Sequence, residues 1–267
     1  MAGLKQQVGR LIPYPLIRAG RKLLHFGPDR CPVCGSGTRA LQDSGYGFAV
    51  LEQLQVVGGL MRRADRCPIC HSSARERLQW FWLNRKGSGL RPAPGTRIAH
   101  FAPEKGLSEQ LLAAFPATYV PYDFEPSRYR HLSGVRKGDL SALAIADASV
   151  DLLICNHVLE HVPDVALALS EIRRVLAPGG MALLQVPLAL NLPASIELGM
   201  GSSPAERIAR TGQDDHVRLF NADDYFKVLQ AAGFAVERYD AFADDAETAT
   251  AWQLDPFERL HICHRGD

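Results

Sequence analysis

Short apolar runs alternate with amphipathic stretches from Arg97 to the end of the chain, and this alternation limits the fold more than any other feature. Short apolar runs are typical of buried strands, whereas longer stretches with apolar residues three or four positions apart are typical of helices. The pattern predicts strands over 98–102, 118–122, 150–155, 181–186, 235–238 and 260–263, and helices that reach Phe115, Leu176 and Ala232. Strands that alternate with helices form parallel pairs whose crossover helices cover both faces of a sheet. The predicted fold is therefore α/β, with a doubly wound, mostly parallel sheet.

Capping residues sharpen two of the predicted boundaries. Asn221 is predicted to cap the helix that follows it, and Gly233 to end that helix in a left-handed conformation. Gly179 and Gly180 are predicted to end the preceding helix and to start the next strand.

The composition is that of a globular protein, but its charge is unevenly distributed. Of the 267 residues, 46% are hydrophobic and 22% are charged, which argues against disorder and against a coiled coil. Residues 1–91 hold 15 Lys and Arg against 5 Asp and Glu, whereas the remainder holds 15 against 24. This asymmetry predicts either an anionic partner for the first part or ion pairs between the two parts. No apolar stretch is long enough to cross a bilayer and no secretory h-region is recognisable, so we expect a cytoplasmic protein.

Three segments are predicted along the chain. Residues 1–28 form a basic amphipathic helical segment interrupted at Pro13, and we expect it to pack on the main body, with a weak peripheral membrane contact as the alternative. Residues 29–91 form a small domain that contains two Cys-x-x-C pairs, and residues 92–267 form the α/β domain. The glycine- and proline-rich stretch over 87–95 is the predicted linker.

Two Cys-x-x-C pairs predict a structural metal site. Its four thiolate ligands would be Cys31, Cys34, Cys67 and Cys70. The two-residue gap directs both thiolates of a pair at one ion, and four thiolates complete a closed tetrahedral zinc site with no position for substrate. A disulfide within each pair, or His71 in place of one thiolate, are the alternatives. Cys155 and Cys263 lie in apolar strands and are predicted to be buried thiols.

The stretch 97–106, RIAHFAPEKG, predicts a strand, a tight turn and a helix, which is where doubly wound sheets bind nucleotides. Only Gly106 remains of a glycine-rich loop. Asp123 ends the next strand, about 20 residues later, where a carboxylate can accept hydrogen bonds from both ribose hydroxyls. An Asp that only starts a turn before Pro126 is the alternative.

The segments 150–164 (VDLLICNHVLEHVPD) and 171–180 (EIRRVLAPGG) resemble those of class I S-adenosylmethionine-dependent methyltransferases. The resemblance covers residues 97 to about 240, and the two-pair cysteine module ahead of such a domain is also similar to known members. It implies a Rossmann-like fold with a small N-terminal four-cysteine zinc domain, and S-adenosyl-L-methionine as cofactor beside structural Zn²⁺.

The resemblance also implies which residues of this sequence contact the cofactor. Those that would surround its methionine part are Phe101, Ala102, Pro103 and Gly106. Asp123 would hold the ribose, Asp139 and Leu140 the adenine, and Asn156 and His157 would lie beside the sulfonium. Ala102, Pro103 and Glu104 depart from the usual glycine-rich loop, and Glu104 would attract the sulfonium or the methionine ammonium.

Two histidines and one arginine are predicted to act in catalysis. A neutral imidazole can accept the proton of an acceptor hydroxyl near pH 7, and His216 and His161 are the candidates. Arg218 is predicted to clamp a carboxylate or phosphate of the substrate. The insertion over 187–213 would cover the edge where substrate enters. A salt-bridged turn with Asp214 or Asp215 is the structural alternative for His216 and Arg218.

The function that follows is methyl transfer to a small-molecule or glycosyl acceptor, which can be anionic. An RNA methyltransferase that grips phosphates with the basic N-terminal part is the alternative, although the sequence has little sign of base stacking and disfavours a nucleic-acid partner. A non-catalytic cofactor-binding protein is the third possibility, since the glycine loop is altered.

Overall fold

The computed structural model describes residues 13–85, 95–129 and 131–266. The strands among these residues are β1 (Asp29–Arg30), β2 (Gly37–Thr38), β3 (Gln42–Ser44), β4 (Val56–Val57), β5 (Arg62–Arg66), β6 (Ile98–Phe101), β7 (Tyr119–Asp123), β8 (Arg136–Lys137), β9 (Val150–Asn156), β10 (Leu176–Gln185), β11 (Leu188–Ala189), β12 (Ile196–Glu197), β13 (Arg218–Asn221), β14 (Phe234–Tyr239) and β15 (Leu260–Arg265). The helices are α1 (Tyr14–Leu24), α2 (Ala49–Gln53), α3 (Ala74–Asn84), α4 (Lys105–Ala114), α5 (Val165–Val175), α6 (Pro204–Thr211), α7 (Ala222–Ala231) and α8 (Ala241–Ala251).

A seven-stranded sheet forms the centre of the molecule, in the order β14-β15-β10-β9-β6-β7-β8. The strands from β10 to β8 are parallel, and β15 joins β10 and β14 in antiparallel fashion. The prediction of a Rossmann-like, mostly parallel α/β sheet is confirmed. The chain order reverses between β6 and β9, and such a switch point opens a crevice at the carboxyl ends of the two strands.

The predicted elements agree with the structure to within a few residues at most ends. Asn221 caps α7 by accepting the N–H groups of Asp223 and Asp224, and Gly233 has a φ of 86°, a value that favours glycine. The prediction for Gly179 and Gly180 was wrong, because both lie inside β10. Helix α5 already ends at Val175, and the next residue, Leu176, is extended and pairs with Val150.

Two apolar cores cover the two faces of the sheet. One contains α5 and α7. The other contains α4, α8 and also α3, which contributes Leu78, Phe81 and Trp82 from the N-terminal part of the chain. Helix α3 begins with a capping box in which Ser73 and Glu76 satisfy each other's backbone N–H groups. The cysteine-containing segment therefore ends in a helix that belongs to the central core.

A second, four-stranded sheet also joins the two parts, in the order β12-β13-β11-β4. Strand β4 comes from the N-terminal part, and Val57 and Val56 pair with Leu188 and Ala189 of β11. Nearby, the buried Arg77 forms an ion pair with Asp65 (3.0 Å) and donates to carbonyls in the 252–253 turn. The segments 29–85 and 95–266 are therefore linked by strand pairing as well as by a common core.

Helix α1 packs on the main body through its polar side. Tyr14 and Arg18 both contact Glu109 of α4, at 2.7 and 3.0 Å, and Arg21 contacts His71. Leu23 is 81% exposed, and Leu16 and Leu24 are exposed as well. A salt bridge and two hydrogen bonds hold this helix, rather than burial of its apolar face. Among the described residues, none of the helices combines the length and the apolarity that a bilayer crossing requires.

Candidate functional site

The four cysteines of the two Cys-x-x-C pairs converge at one point. Their sulfur atoms all lie within 4.8 Å of one another, and Cys31 Sγ is 3.7 Å from Cys70 Sγ. All four are free thiols, and three of them are buried. Four converging sulfurs without disulfides are the donor set that zinc prefers in closed tetrahedral sites.

The two cysteine turns have the same backbone geometry. In each, the first Cys accepts an N–H bond from the residue after the second Cys, which is Gly35 in one turn and His71 in the other. Both of these residues have a φ of 65°. The imidazole of His71 contacts Arg21 and does not belong to the sulfur cluster, so the described geometry favours the four-thiolate set over a set that includes His71.

The second cysteine turn packs directly on the first turn of α4. A β-carbon placed at Gly106 would lie 3.1 Å from Ser72 Cβ and 3.2 Å from Cys70 Sγ. Lys105 Nζ donates to the carbonyl of Ile69 (3.4 Å). Glycine at 106 therefore permits a close approach between the cysteine cluster and the helix that starts at the switch point.

The turn after β6 holds a buried, charged network. Ala102 has a φ of 49°, and Glu104 is the N-cap residue of α4. Glu104 Oε2 lies 2.8 Å from His100 Nε2, within hydrogen-bond distance. Glu104 Oε1 lies 3.6 Å from the guanidinium of Arg75 and has no hydrogen-bond partner. Burial opposes ionisation, but the His100 bond and the charges of His100 and Arg75 lower the pKa of Glu104. An ionised carboxylate whose Oε1 forms no hydrogen bond can receive an ammonium group at this turn.

Asp123 ends β7 at the neighbouring position of the sheet. Its Oδ1 accepts the backbone N–H of Glu125 (2.7 Å), and its Oδ2 accepts the hydroxyl of Tyr129 (2.7 Å). Each carboxylate oxygen has a further lone pair, so these bonds leave room for ribose hydroxyls. The local turn and a ribose-binding role are compatible.

The other predicted cofactor residues have varied surroundings. Phe101 and Leu140 are buried in the core, where Phe101 stacks on Tyr122 at 5.1 Å. Pro103 is buried, whereas Asp139 is exposed and accepts the N–H of Ser141 (2.8 Å). Only the backbone groups of Phe101 and Leu140 can therefore contact a ligand without disturbing the core.

Asn156 ends β9, and its side chain is occupied by a residue from the N-terminal part. Gln79 of α3 donates to Asn156 Oδ1 (2.7 Å), and Asn156 Nδ2 donates back to Gln79 Oε1 (3.1 Å). This reciprocal pair is fully buried. The amide predicted to lie beside the sulfonium is thus held in place by the helix that follows the cysteine cluster.

A cavity of about 480 Å³ lies between the N-terminal part and the carboxyl edge of β9. Its lining includes Arg75, His157, Glu160, His161, His216 and Glu258. His157 has a φ of 52°, and its ring lies against Gly58. The structure therefore brings both predicted histidines, His161 and His216, to one cavity together with His157.

Burial controls the protonation of this cavity. It raises the pKa of Glu160 to about 8 and that of Glu258 to about 7, and it lowers the pKa of His216 to about 4. His216 is consequently a neutral imidazole at pH 7, as a proton acceptor must be. Its Nδ1 has no hydrogen-bond partner.

The guanidinium of Arg218, the predicted clamp, is engaged by groups of the protein itself. Its guanidinium is only 4% exposed and donates to the carbonyls of Leu159, Val162 and Pro163, besides its ion pair with Glu197. Its donors are therefore used inside the protein. These contacts support a positioning role, in which Arg218 fixes the loop that carries Glu160 and His161.

Sequence reasoning missed three residues of this region: Arg75, Gln79 and Glu258. Glu160 adjoins His161 in the LEH motif and was visible in the sequence. Arg75 and Gln79 lie on one side of α3, at a spacing of four residues, and polar residues within a helix that buries Leu78 and Trp82 were a signal for buried contacts. No local pattern marked Glu258, which reaches the cavity from the turn before β15.

Residues 105–184 match the sequence model of a family described as "Methyltransferase domain". This match and the strand order define the fold as that of class I S-adenosylmethionine-dependent methyltransferases.

Two curated relatives match about half of the chain. A Mycolicibacterium smegmatis protein named a probable S-adenosylmethionine-dependent methyltransferase is 28% identical over 139 residues, which are 50% of this chain and 49% of that protein. A malonyl-acyl-carrier-protein O-methyltransferase of Erwinia billingiae is 35% identical over 119 residues, which are 40% of this chain and 42% of that protein. The chain spans about half the length of the curated relatives it matches.

Solved structures also align with the chain at low identity. The phosphoethanolamine N-methyltransferase 2 of Haemonchus contortus, in complex with S-adenosyl-L-methionine, aligns with a TM-score of 0.46 at 14% identity. The alignment covers 72% of this chain and 53% of that one.

Proposed function

We propose that the protein is an S-adenosylmethionine-dependent methyltransferase that acts on a small-molecule or glycosyl acceptor. The observation that carries this proposal is the cavity of about 480 Å³ at the carboxyl edge of β9, next to the switch point between β6 and β9. The family match over residues 105–184 supports the same reaction.

The residues around the switch point suit the cofactor. Glu104 Oε1, which forms no hydrogen bond, would accept one from the methionine ammonium. Asp123 would accept hydrogen bonds from the ribose hydroxyls, and Asp139 with the Leu140 N–H would contact the adenine. The bound cofactor would supply an electrophilic methyl group. Methyl transfer needs the acceptor about 3 Å from that group and in line with it, so the chain contributes mainly by positioning.

His216 would accept the proton when the acceptor is a hydroxyl. Its imidazole is neutral at pH 7, only 2% exposed, and lies with its ring centre 4.8 Å from that of His161. His157 and His161 would line the acceptor's path from the same side of the cavity. Arg218 would act on this step indirectly, by fixing the 159–163 loop.

The four-cysteine cluster would hold a structural zinc ion. Closed thiolate sites leave no coordination position for substrate, so this ion would shape the crevice without entering the reaction. Its second turn touches Gly106, and the helix that follows it delivers Arg75 and Gln79 to the site. Free cysteines suit a reducing compartment, which favours the cytoplasm.

Ion pairs that neutralise arginines of the N-terminal part favour a small acceptor over RNA. Arg18, Arg62 and Arg75 are paired with Glu109, Asp255 and Glu104 of the second part. These arginines hold the two parts together, so their charge is not displayed to a nucleic acid.

Calorimetry with S-adenosylhomocysteine tests the cofactor assignment. We expect binding that Asp123→Ala weakens by about 1 to 3 kcal/mol, because hydrogen bonds to the ribose are lost. Asp29→Ala, on the exposed strand β1, is the control and should bind like the wild type. Unchanged affinity in Asp123→Ala would show that the ribose binds at a place other than Asp123.

Transfer of a labelled methyl group from the cofactor into pools of sugars and small hydroxylated or carboxylated molecules tests the reaction. A labelled small product is expected. Cofactor binding without a product from any pool would favour a non-catalytic protein, and salt-dependent retention on RNA with labelled RNA would favour the RNA alternative.

A further inference from the structure

Helix α1 presents an apolar side that the described residues leave uncovered. Leu16 and Leu23 are two helical turns apart and therefore lie on one side of the helix. These two residues, together with Leu24 and Phe26 at the C-terminal end of the helix, are between 63% and 81% exposed. We call these four residues the α1 patch. Clustered apolar side chains that stay exposed beside polar residues are typical of an interaction surface.

The opposite side of α1 holds the helix in its orientation. Tyr14 and Arg18 both bind Glu109 of α4, at 2.7 and 3.0 Å. Near the other end, the N–H of Arg39 donates to the carbonyl of His25 (2.9 Å). A rotation of the helix that buried its leucines on the body would break the bonds to Glu109. The α1 patch is therefore preformed, and a preorganised surface binds its partner at a lower ordering cost.

Basic side chains lie beside the α1 patch. Residues 13–40 hold five Lys and Arg against one Asp. Lys22, Arg30 and Arg39 are exposed, and within the described part of the chain none of the three forms an ion pair. Arg39 Nε donates to the carbonyl of Phe26 (2.9 Å), which places this guanidinium next to the patch. Exposed leucines with unpaired positive charges beside them are complementary to a surface that is apolar inside and anionic outside.

We propose that the α1 patch docks the protein on the surface of an anionic lipid bilayer. An amphipathic helix can lie in the plane of the membrane interface, with its apolar side among the acyl chains and its basic residues among the headgroup phosphates. Helix α1 would dock in this way while its polar side stays bound to α4. The contact is peripheral, and it does not depend on the proposed methyl transfer.

Two other occupants of the patch fit its charges less well. In a two-fold dimer the patch would meet its own copy, so Lys22 and Arg39 of one protomer would approach the same residues of its partner, and like charges repel. The stretch 1–12, which lies outside the described residues, contains Lys5 and Arg10 and no acidic residue, so it adds to the positive charge. Anionic headgroups complement all of these residues.

Flotation of the full-length protein with lipid vesicles tests the docking. We expect saturable binding to vesicles of phosphatidylcholine with about one third phosphatidylglycerol, and binding that is about tenfold weaker to phosphatidylcholine alone or at high salt. Leu16→Ser combined with Leu23→Ser should weaken binding to the anionic vesicles by about tenfold or more, because two apolar side chains no longer enter the bilayer. Lys22→Gln should weaken it by about fivefold. Met200→Ser, at an exposed methionine between β12 and α6, is the matched control and should bind like the wild type.

A tryptophan in the α1 patch provides an independent gain of signal. The fluorescence of Leu23→Trp should be quenched by lipids with brominated acyl chains, beyond the quenching of the wild-type protein, because residue 23 enters the acyl region. Met200→Trp is the control and should show no such excess. Zinc content and thermal unfolding show whether each variant is folded, and exposed positions of this kind should leave the unfolding temperature nearly unchanged.

The possible results separate the three occupants. Absence of binding to the anionic vesicles, or undiminished binding by the folded double leucine variant, would overturn the proposal. A dimer in light scattering that the leucine variant dissociates, without vesicle binding, would assign the patch to a second copy of the chain. A monomer that binds no vesicles would show that the chain covers the patch itself, and equal binding to neutral and anionic vesicles would refute the anionic character of the partner.

Discussion

Two clusters of polar side chains in this chain differ in how they are closed. The cysteine cluster has four sulfurs that face only one another, with three of the four residues buried. The cluster of Glu160, His161 and His216 lies at a cavity, and its carboxylate has no hydrogen-bond partner. The first arrangement has no opening for a substrate, whereas the second faces a space that a substrate can enter. The comparison teaches that one interface between two segments can carry both a closed and an open cluster of polar side chains.

Helix α3 connects the two clusters. It begins just after the second cysteine turn, and its residues Arg75 and Gln79 reach the cavity and Asn156. Disturbance of the cysteine cluster should therefore reach the second site through this helix, while disturbance of the second site should leave the cysteine cluster intact.

Removal of zinc should have the largest effect. We expect about one zinc per chain by metal analysis, and we expect Cys67→Ser to lower the free energy of unfolding by about 5 kcal/mol or more, because metal binding and folding of such modules are coupled. Denaturant unfolding measures this change. Cys263→Ala, in the buried strand β15, should retain the zinc. A metal-free, folded wild-type protein would refute the four-thiolate assignment.

Loss of His216 should affect the reaction and spare the fold. His216→Ala should lower turnover by roughly a hundredfold, with S-adenosylhomocysteine affinity and zinc content preserved, because the proposed role of the imidazole is to accept a proton from the acceptor. Steady-state kinetics with calorimetry separates the two quantities. Wild-type turnover in this variant would show that His216 does not act in catalysis. The difference in role between the cysteine cluster and the cluster at the cavity would then be unsupported.

A single methyl group at Gly106 should have the smallest effect, and it tests the contact between the cysteine turn and α4. Alanine usually stabilises a helix by up to about 1 kcal/mol relative to glycine. At 106 the new β-carbon would lie 3.2 Å from Cys70 Sγ, and overpacking costs about 1 to 3 kcal/mol, so we expect net destabilisation of about 1 kcal/mol.

The matched variant is Gly20→Ala in α1, where the new β-carbon has nothing within 4 Å. It should be neutral or slightly stabilising in the same thermal unfolding measurement. Equal effects at both positions would mean that the cysteine turn does not press on the first turn of α4.

Much of the fold was predictable because it depends on local rules. Strands β6, β7, β9 and β15 are apolar runs that stand out from their neighbours, and Asn221 and Gly233 set the ends of α7 through their own side chain and backbone. The prediction that Gly179 and Gly180 end the helix was wrong. The helix ends before them, because Leu176 is already extended and pairs with Val150.

The candidate site was predictable only in part. His161 and His216 were identified from residue type, but their meeting at Glu160 depends on how the 213–218 segment packs against the end of β9. Arg218 looked like a substrate clamp, because a sequence does not show that carbonyls 56 to 59 residues away will take its hydrogen bonds.

The sequence by itself determined the α/β class, the four candidate thiol ligands and the candidate cofactor strand ends, because spacing and hydrophobic period act over a few residues. Only the tertiary structure decided that α3 carries Arg75 and Gln79 into the crevice, that Gly106 touches the cysteine turn, and that Glu160 stands without a partner between two imidazoles. These features arise from contacts between segments far apart in the chain, which are fixed when the elements pack and leave no periodic trace in the sequence.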